Sequence, residues 1–164
     1  MTDTKIKVAI NGFGRIGRSF LRLALAEYPS VDIVAINDLG DINNLAYLLR
    51  YDTAQGESNL DVTISNDGTH MFVNGNDIHV LQEKEPQHLP WKELNVDVVV
   101  ESTGFFTEYD KAALHLDAGA KKVVISAPAK GEPTEGVTGA TVIMGVNQDT
   151  LNTCQISSNG SCTT

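Results

Sequence analysis

A glycine-rich string near the amino terminus is the first feature of this sequence that could bind a ligand. The letters GFGRIG at positions 12–17 follow a short apolar run and precede a helical pattern. In that context Gly12 permits a tight turn, Gly14 lets the backbone approach a diphosphate, and Gly17 lets the helix pack against the strand. The first N–H groups of such a helix have no partner within it and attract anions, so the string predicts a dinucleotide site.

An acidic residue stands at the spacing that suits a ribose-binding carboxylate. Asp38 follows the second apolar run, about 20 residues after Gly17, which is the usual separation. A carboxylate there accepts hydrogen bonds from both ribose hydroxyls and repels a 2′-phosphate, and Leu39 beside it brings no positive charge. The residues therefore favour NAD over NADP. The alternative interpretation is structural, with the glycines as a simple turn and Asp38 as a helix cap.

The letters SNGSCTT that close the sequence contain a candidate nucleophile. We predict a loop that leads into a helix, so that Cys162 would lie in a first helical turn, where the helix dipole stabilises a thiolate. Thiolates are nucleophiles, and the hydroxyls of Ser161 and Thr163 could bind an anionic oxygen. A lone cysteine is more often an inert buried residue, and that alternative stays open for Cys162. We assign Cys154 to the core.

Composition narrows the classes of partner. The chain has 12 basic and 21 acidic residues and a net charge of −9, which argues against binding nucleic acid or an anionic membrane. No run of about 18 apolar residues predicts a membrane span, and two cysteines suggest no disulfide framework, so a cytoplasmic location is expected. No metal site is expected, because the histidines lack ligand spacing. These histidines are His70, His79, His88 and His115.

The elements that would position these residues alternate along the chain. Helices are predicted over 15–28, 41–51 and 109–118, and strands over 6–11, 31–37, 96–101, 122–125, 141–144 and 155–157. Turn signals within 61–80 predict an antiparallel ribbon, and 132–139 predicts a surface loop. The order indicates one α/β domain over 1–164: a doubly wound, mostly parallel sheet of the Rossmann type with the ribbon appended.

Helical spacing also predicts which faces of the first two helices are buried. For the first helix the predicted apolar stripe is Ile16, Phe20, Leu23 and Ala24. For the second it is Ile42, Leu45, Leu48 and Leu49.

Seven strings distributed over the chain resemble those of the phosphorylating glyceraldehyde-3-phosphate dehydrogenases. They are NGFGRIGR (11–18), AINDL (35–39), YDT (51–53), ESTGFFT (101–107), KVVISAPAKG (122–131), MGVN (144–147) and SNGSCTT (158–164). Together and in this order they are highly specific. Erythrose-4-phosphate dehydrogenases share most of them and stay an open alternative.

The resemblance implies a set of cofactor contacts for NAD. Besides the three glycines, the implied positions are Arg15, Ile16, Asn37, Asp38, Leu39, Lys84, Ser102, Thr103, Gly104, Ser126 and Ala127. Backbone N–H groups of Arg15 and Ile16 would hold the diphosphate, and residues 37–39 would surround the adenosine. Residues 102–104 would line the adenine side and the path to the nicotinamide, whose ribose would lie near 126–127.

The resemblance also implies the chemistry. Cys162 would be the nucleophile, with Ser161 and Thr163 at a phosphate site, for oxidation of glyceraldehyde 3-phosphate to 1,3-bisphosphoglycerate. Family members continue with a catalytic domain, which supplies a histidine base and most contacts of a homotetramer and is not represented in these 164 residues. Two hypotheses follow: a dehydrogenase of which this chain is the cofactor half, or a stand-alone NAD-binding module without catalysis.

Two positions depart from the family pattern. Lys84 replaces a usual arginine, which keeps the charge and loses the planar fork, so the adenine-side contact differs. Gly160 replaces a usual alanine next to Ser161 and gives the backbone more freedom there. The predicted loop over 132–139 is also slightly longer than usual.

Overall fold

The computed structural model describes residues 5–161, in which a nine-stranded sheet carries three α-helices. The helices are α1 (Arg15–Glu27), α2 (Ile42–Arg50) and α3 (Tyr109–Asp117), with single 3₁₀ turns at Pro86–His88 and Gln148–Asn152. The strands are β1 (Ile6–Asn11), β2 (Val31–Asn37), β3 (Tyr51–Asp52), β4 (Gly56–Glu57), β5 (Val62–Ile64), β6 (His70–Val73), β7 (Asn76–Leu81), β8 (Val98–Glu101), β9 (Lys122–Ile125), β10 (Gly139–Val142) and β11 (Ile156–Asn159).

The sheet is doubly wound. Its strand order is β10-β11-β9-β8-β1-β2-β7-β6-β5, and all pairs are parallel except β5 with β6 and β6 with β7. The chain passes from β1 to β2 on one side and later returns to place β8 on the other side of β1. This reversal creates a crevice at the carboxyl ends of β1 and β8, where such folds bind ligands. The predicted Rossmann-type sheet and its antiparallel ribbon are confirmed.

The antiparallel ribbon, formed by β5, β6 and β7, lies at one edge of the sheet, and its second turn falls at a predicted turn signal. Asn74 and Gly75 form the two-residue connection between β6 and β7, with φ of 50° and 80°. Two positive φ angles in succession are typical of a type I′ hairpin turn, which suits the twist of the strands. The last strand of the ribbon, β7, then pairs parallel with β2.

Apolar side chains cover both faces of the central strands. Val100 of β8 packs in one cluster with Ile10 and Leu21, whereas its neighbour Val99 packs in a second cluster around Trp91. A third cluster, which includes Ile156, lies between α3 and the β9–β11 side of the sheet. The unbroken apolar run of β8 is therefore explained by burial on both faces, as predicted.

The predicted buried face of α1 is partly wrong. Ile16 is 52% exposed and Leu23 is 47% exposed, while Leu21 is fully buried and Ala24 is buried as expected. The reason lies at Gly17, where an added Cβ would overlap the carbonyl oxygen of Gly12. This close approach turns the face that carries residues 17, 21 and 24 toward the sheet. On the neighbouring face Ile16 and Leu23 stay largely exposed, while Phe20 is half-buried against the core.

The second helix follows its predicted face more closely. Three of its four predicted positions are buried, namely Ile42, Leu45 and Leu49. The fourth, Leu48, is half-buried, and Ala46 is buried in the core cluster instead. Asp41 caps the helix by accepting hydrogen bonds from the N–H groups at positions 43 and 44, so the helix begins one residue later than predicted.

The last two strands along the chain, β10 at the sheet edge and β11 next to it, differ most from expectation. Strand β10 covers Gly139–Val142 instead of 141–144, and β11 covers Ile156–Asn159 instead of 155–157. Ser158 and Asn159 therefore lie in a strand and not in a loop. The parallel pairing of Val142 with Asn159 determines where both strands end. The sequence of β10 lacks a clear apolar pattern, so its ends could not be predicted from it.

One acidic side chain of the ribbon has a strongly lowered pKa. Hydrogen bonds from the Ser65 hydroxyl and from the hydroxyl and N–H of Thr69 hold the pKa of Asp67 at about 2. A lowered pKa in the folded state stabilises the protein above the unfolded pKa of about 3.9, and this contribution is lost as the pH falls through 2.

The variant Asp67→Asn is accordingly expected to melt at a lower temperature than the parent chain above pH 4. The two melting temperatures should converge as the pH approaches 2, as circular dichroism melts at several pH values would show. Asp61→Asn, at an exposed aspartate of the same ribbon, is the control. A difference for Asp67→Asn that is independent of pH would contradict the assignment.

Candidate functional site

A crevice of about 590 Å³ opens where the carboxyl ends of β1, β2 and β8 meet. The predicted cofactor positions that line it are Gly12, Gly14, Asn37, Asp38, Leu39, Lys84, Ser102 and Thr103. They come from four separate parts of the chain, so the topology assembles them as the sequence predicted. The volume lies within the range of pockets that hold small organic ligands.

The three glycines of the turn serve two different purposes. Gly12 has φ +91°, and an added Cβ would lie 2.6 Å from the backbone nitrogen of Thr103, so the fold itself requires glycine there. Gly17 is equally required, because of the overlap with Gly12 described above. At Gly14 an added Cβ would meet nothing within 4 Å, and φ is −71°. Packing within the chain does not explain Gly14, whose missing side chain leaves the backbone open to close approach from the crevice.

The helix that follows the turn presents an uncapped amino terminus. Helix α1 begins at Arg15, no side chain caps it, and its first turn carries no acidic residue. The N–H groups of Arg15 and Ile16 lie in this first turn, whose partial positive charge favours an anion. Neither residue is among those that line the crevice, but Gly14, immediately before them, is.

Asp38 links the glycine turn to the end of β2. One carboxylate oxygen accepts the N–H of Phe13 at 2.7 Å, and the other accepts the N–H of Gly40 at 2.8 Å. Each oxygen keeps capacity for a further hydrogen bond. The helix-cap interpretation of Asp38 is wrong, because Asp41 caps α2.

The segment after β8 forms the opposite wall. The Ser102 hydroxyl donates to the carbonyl of Gly12 at 2.7 Å and ties this segment to the glycine turn. Gly104 has φ +80° and leads to Phe105, which is 80% exposed at the mouth of the crevice. Gly104 itself does not line the crevice.

Two predicted positions near the nicotinamide side lie one strand further along. Ser126 follows β9 and donates its N–H to the carbonyl of Glu101 at 3.0 Å. Neither Ser126 nor Ala127 lines the crevice, although both stand at the same edge of the sheet.

The carboxyl-terminal site is only partly described. Ser161 is half-buried and follows β11, whereas Cys162 and Thr163 lie outside the described residues. Cys154 is buried, as predicted. Gly160 lies against Ile143, whose side chain would be 3.1 Å from an added Cβ.

Sequence reasoning missed several residues at the crevice. Glu83, Glu85 and Phe106 line it, and the carboxylate of Glu101 is buried beneath it. Two of the apolar strands end in a polar residue: β8 reads VVVE, and β1 ends in Asn11. A polar residue at the end of a buried strand needs hydrogen-bond partners, so these two positions could have indicated a polar cluster. His115, one of the histidines whose spacing predicts no metal site, is one of those partners.

The described part of the chain holds neither a cluster of metal ligands nor a membrane-spanning helix. Within residues 5–161, no three metal-ligating side chains lie close enough together to hold an ion. Each helix in that range is too short or too polar to span a bilayer.

Comparison with known proteins identifies the family. Residues 6–109 match the family described as "Glyceraldehyde 3-phosphate dehydrogenase, NAD binding domain". The chain is 52% identical to the glyceraldehyde-3-phosphate dehydrogenase of Geobacillus stearothermophilus over 161 residues, which cover 97% of this chain and 45% of the relative. Glyceraldehyde-3-phosphate dehydrogenase 1 of Bacillus subtilis (strain 168) is 51% identical with the same coverage.

A fungal relative gives the same picture. Glyceraldehyde-3-phosphate dehydrogenase 1 of Kluyveromyces marxianus is 48% identical over 160 residues, 97% of this chain and 46% of the relative. The chain thus spans less than half the length of the curated relatives it matches. With the crevice, the glycine turn and Asp38 in place, the chain belongs to the glyceraldehyde-3-phosphate dehydrogenase family and carries its NAD-binding domain.

Proposed function

We propose that this chain is the cofactor half of an enzyme that oxidises glyceraldehyde 3-phosphate, with NAD and inorganic phosphate, to 1,3-bisphosphoglycerate. The observation that supports the proposal best is the crevice, where an uncapped helix, an unobstructed Gly14 and the carboxylate of Asp38 meet. These groups fit the two charged or polar parts of a dinucleotide, its diphosphate and its adenosine ribose.

Each wall of the crevice has a part in holding NAD. Backbone N–H groups of Arg15 and Ile16 bind the diphosphate, and Asp38 accepts hydrogen bonds from the ribose hydroxyls. Leu39 and Lys84 lie beside the adenosine. Residues 102–104 border the path toward the nicotinamide, with Ser126 near its ribose. NAD, when bound, supplies the acceptor for the hydride of the aldehyde.

The remaining chemistry belongs to the carboxyl-terminal residues. The Cys162 thiolate adds to the aldehyde carbon, and a proton neutralises the resulting alkoxide. After oxidation the carbon is held to Cys162 as a thioester. Inorganic phosphate, bound with the help of Ser161 and Thr163, attacks this carbon, so that the C–S bond breaks and the thiolate is restored.

The chain does not supply every group that this cycle needs. A base must take the hydroxyl proton before hydride leaves, and histidine is the usual one. None of the four histidines, all within residues 5–161, lines the crevice, and both ring nitrogens of His115 are held by Trp91 and Glu101. We therefore assign the base, and most contacts of a homotetramer, to a catalytic domain outside these 164 residues.

Calorimetric titration of the chain with NAD and with NADP tests the proposal. We expect one site with NAD affinity at least tenfold higher than NADP affinity, because a 2′-phosphate would face the Asp38 carboxylate. A mixture of chain, NAD, glyceraldehyde 3-phosphate and phosphate should give no sustained NADH formation at 340 nm. Equal affinity for the two dinucleotides would refute the role of Asp38, and sustained turnover would refute the need for a further domain.

A further inference from the structure

We infer that a buried hydrogen-bond relay beneath the crevice positions both of its walls for the dinucleotide. The relay consists of five side chains, in order Trp91, His115, Glu101, Asn11 and Asn37. The inference rests on the proposed function, since it names positioning residues of that same site.

Trp91 fixes the direction of the hydrogen bonds at one end of the relay. Its indole Nε1–H can only donate, and it donates to Nδ1 of His115 at 3.0 Å. The ring proton of His115 must then lie on Nε2, which donates to Oε2 of Glu101 at 3.0 Å. All three side chains are at most 1% exposed, so water does not offer them another partner.

Asn37 fixes the direction of the hydrogen bonds at the other end. Its side-chain amide makes two bonds with the backbone of Glu83: Nδ2 donates to the carbonyl, and Oδ1 accepts the N–H, each at 2.8 Å. This pairing permits only one orientation of the amide. Nδ2 of Asn37 also donates to Oδ1 of Asn11 at 2.7 Å, so the amide of Asn11 must direct its own Nδ2 toward Glu101, at 2.6 Å.

The two ends converge on one carboxylate. Nδ2 of Asn11 and Nε2 of His115 both point at Oε2 of Glu101 and lie 3.3 Å from each other. The other oxygen, Oε1, accepts both the N–H and the hydroxyl of Thr103. Four donors thus face one side chain, and only a carboxylate accepts on both oxygens. A glutamine would place an NH₂ group against two of the donors.

The relay holds the two segments that line opposite walls of the crevice. Glu83 follows β7 and Thr103 follows β8, and both line the crevice, as do Asn11 and Asn37. Phe106, another lining residue, packs its ring edge-on against His115 with centroids 6.3 Å apart. A site held in its binding geometry before the ligand arrives binds more tightly, because less ordering accompanies binding.

Two substitutions of His115 separate positioning from packing. His115→Gln keeps an acceptor for Trp91 and a donor for Glu101 at similar spacing, whereas His115→Leu removes both. We expect NAD dissociation constants within about threefold of the parent chain for His115→Gln, and raised tenfold or more for His115→Leu and for Glu101→Gln. Glu93→Gln, at an exposed glutamate, is the matched control and should bind like the parent.

Calorimetry is run at a temperature at which circular dichroism shows each variant folded. If His115→Leu and Glu101→Gln are less stable but bind NAD like the parent chain, the relay is structural only and the inference is overturned. If the parent chain itself does not bind NAD, the proposed function fails instead, so the two failures are distinguishable.

A second measurement needs no variant. Trp91 is the only tryptophan of the chain, so its indole N–H gives a single resonance in a ¹H–¹⁵N spectrum. Since the indole is fully buried, NAD reaches it only through the relay and its neighbours. We expect the resonance to shift as NAD is titrated to saturation. A resonance that does not shift while calorimetry reports a filled site would overturn the inference. This test uses only the parent chain, so it remains decisive if the variants fail to fold.

Discussion

Replacing Gly17 by alanine is expected to lower the melting temperature of the chain by about 5–10 °C. An added Cβ would overlap the carbonyl oxygen of Gly12 and stand 3.0 Å from Cγ2 of Ile10. The first obstacle is backbone, which cannot rotate away as a side chain would. Helix α1 must therefore shift from the sheet, at a cost of about 2–4 kcal/mol.

Gly14→Ala serves as the matched comparison and should show the opposite behaviour. Its Cβ would meet no protein atom within 4 Å, so the melting temperature should change by no more than about 2 °C. NAD affinity should nevertheless fall tenfold or more, because the methyl group would occupy space that the diphosphate needs. Differential scanning calorimetry and NAD titration of both variants check this pair. A Gly14→Ala chain that binds NAD as well as the parent would contradict the assigned diphosphate position.

Asp38→Asn is expected to remove most of the discrimination between NAD and NADP. Both carboxylate oxygens already accept backbone N–H groups, from Phe13 and Gly40, so the amide must direct its NH₂ toward one of these donors. NAD affinity should fall about tenfold to a hundredfold through the loss of charge-assisted bonds. NADP affinity should fall less or rise, because the repulsion of its 2′-phosphate is gone, so the affinity ratio should shrink at least tenfold.

Asp41→Asn controls for the general effect of losing a negative charge nearby. Asp41 caps α2 and does not line the crevice, and asparagine is an equally good cap. Titrations of both variants with both dinucleotides give the comparison. If Asp38→Asn kept the parent ratio of affinities, discrimination would have to arise elsewhere in the crevice.

The parts of the site that could be predicted are those determined by local order along the chain. The glycine turn, the helix that follows it and Asp38 depend on residues close in sequence or on a fixed spacing, and the structure places Gly12, Gly14 and Asp38 together. The alternation of strands and helices likewise determined the doubly wound topology, because parallel strands need crossovers of this kind.

The parts that could not be predicted depend on distant pairings. The bond between Asn11 and Glu101 spans 90 residues, and the approach of Asn11 to His115 spans 104. No periodicity reports such contacts, so the partners of His115 could not be predicted from the sequence. The buried face of α1 was partly wrong for a different reason. Apolar spacing indicated Ile16 and Leu23, whereas the close packing at Gly17, which the glycine turn predicted, determines the face.

We propose that a single crevice, between the glycine turn and Asp38, holds the dinucleotide. A crystal structure of the chain with NAD tests it most directly. We predict the diphosphate oxygens at the N–H groups of Arg15 and Ile16, and the adenosine ribose hydroxyls within hydrogen-bond distance of the Asp38 carboxylate. NAD bound elsewhere on the surface, with this crevice filled by the protein's own side chains, would contradict this binding mode.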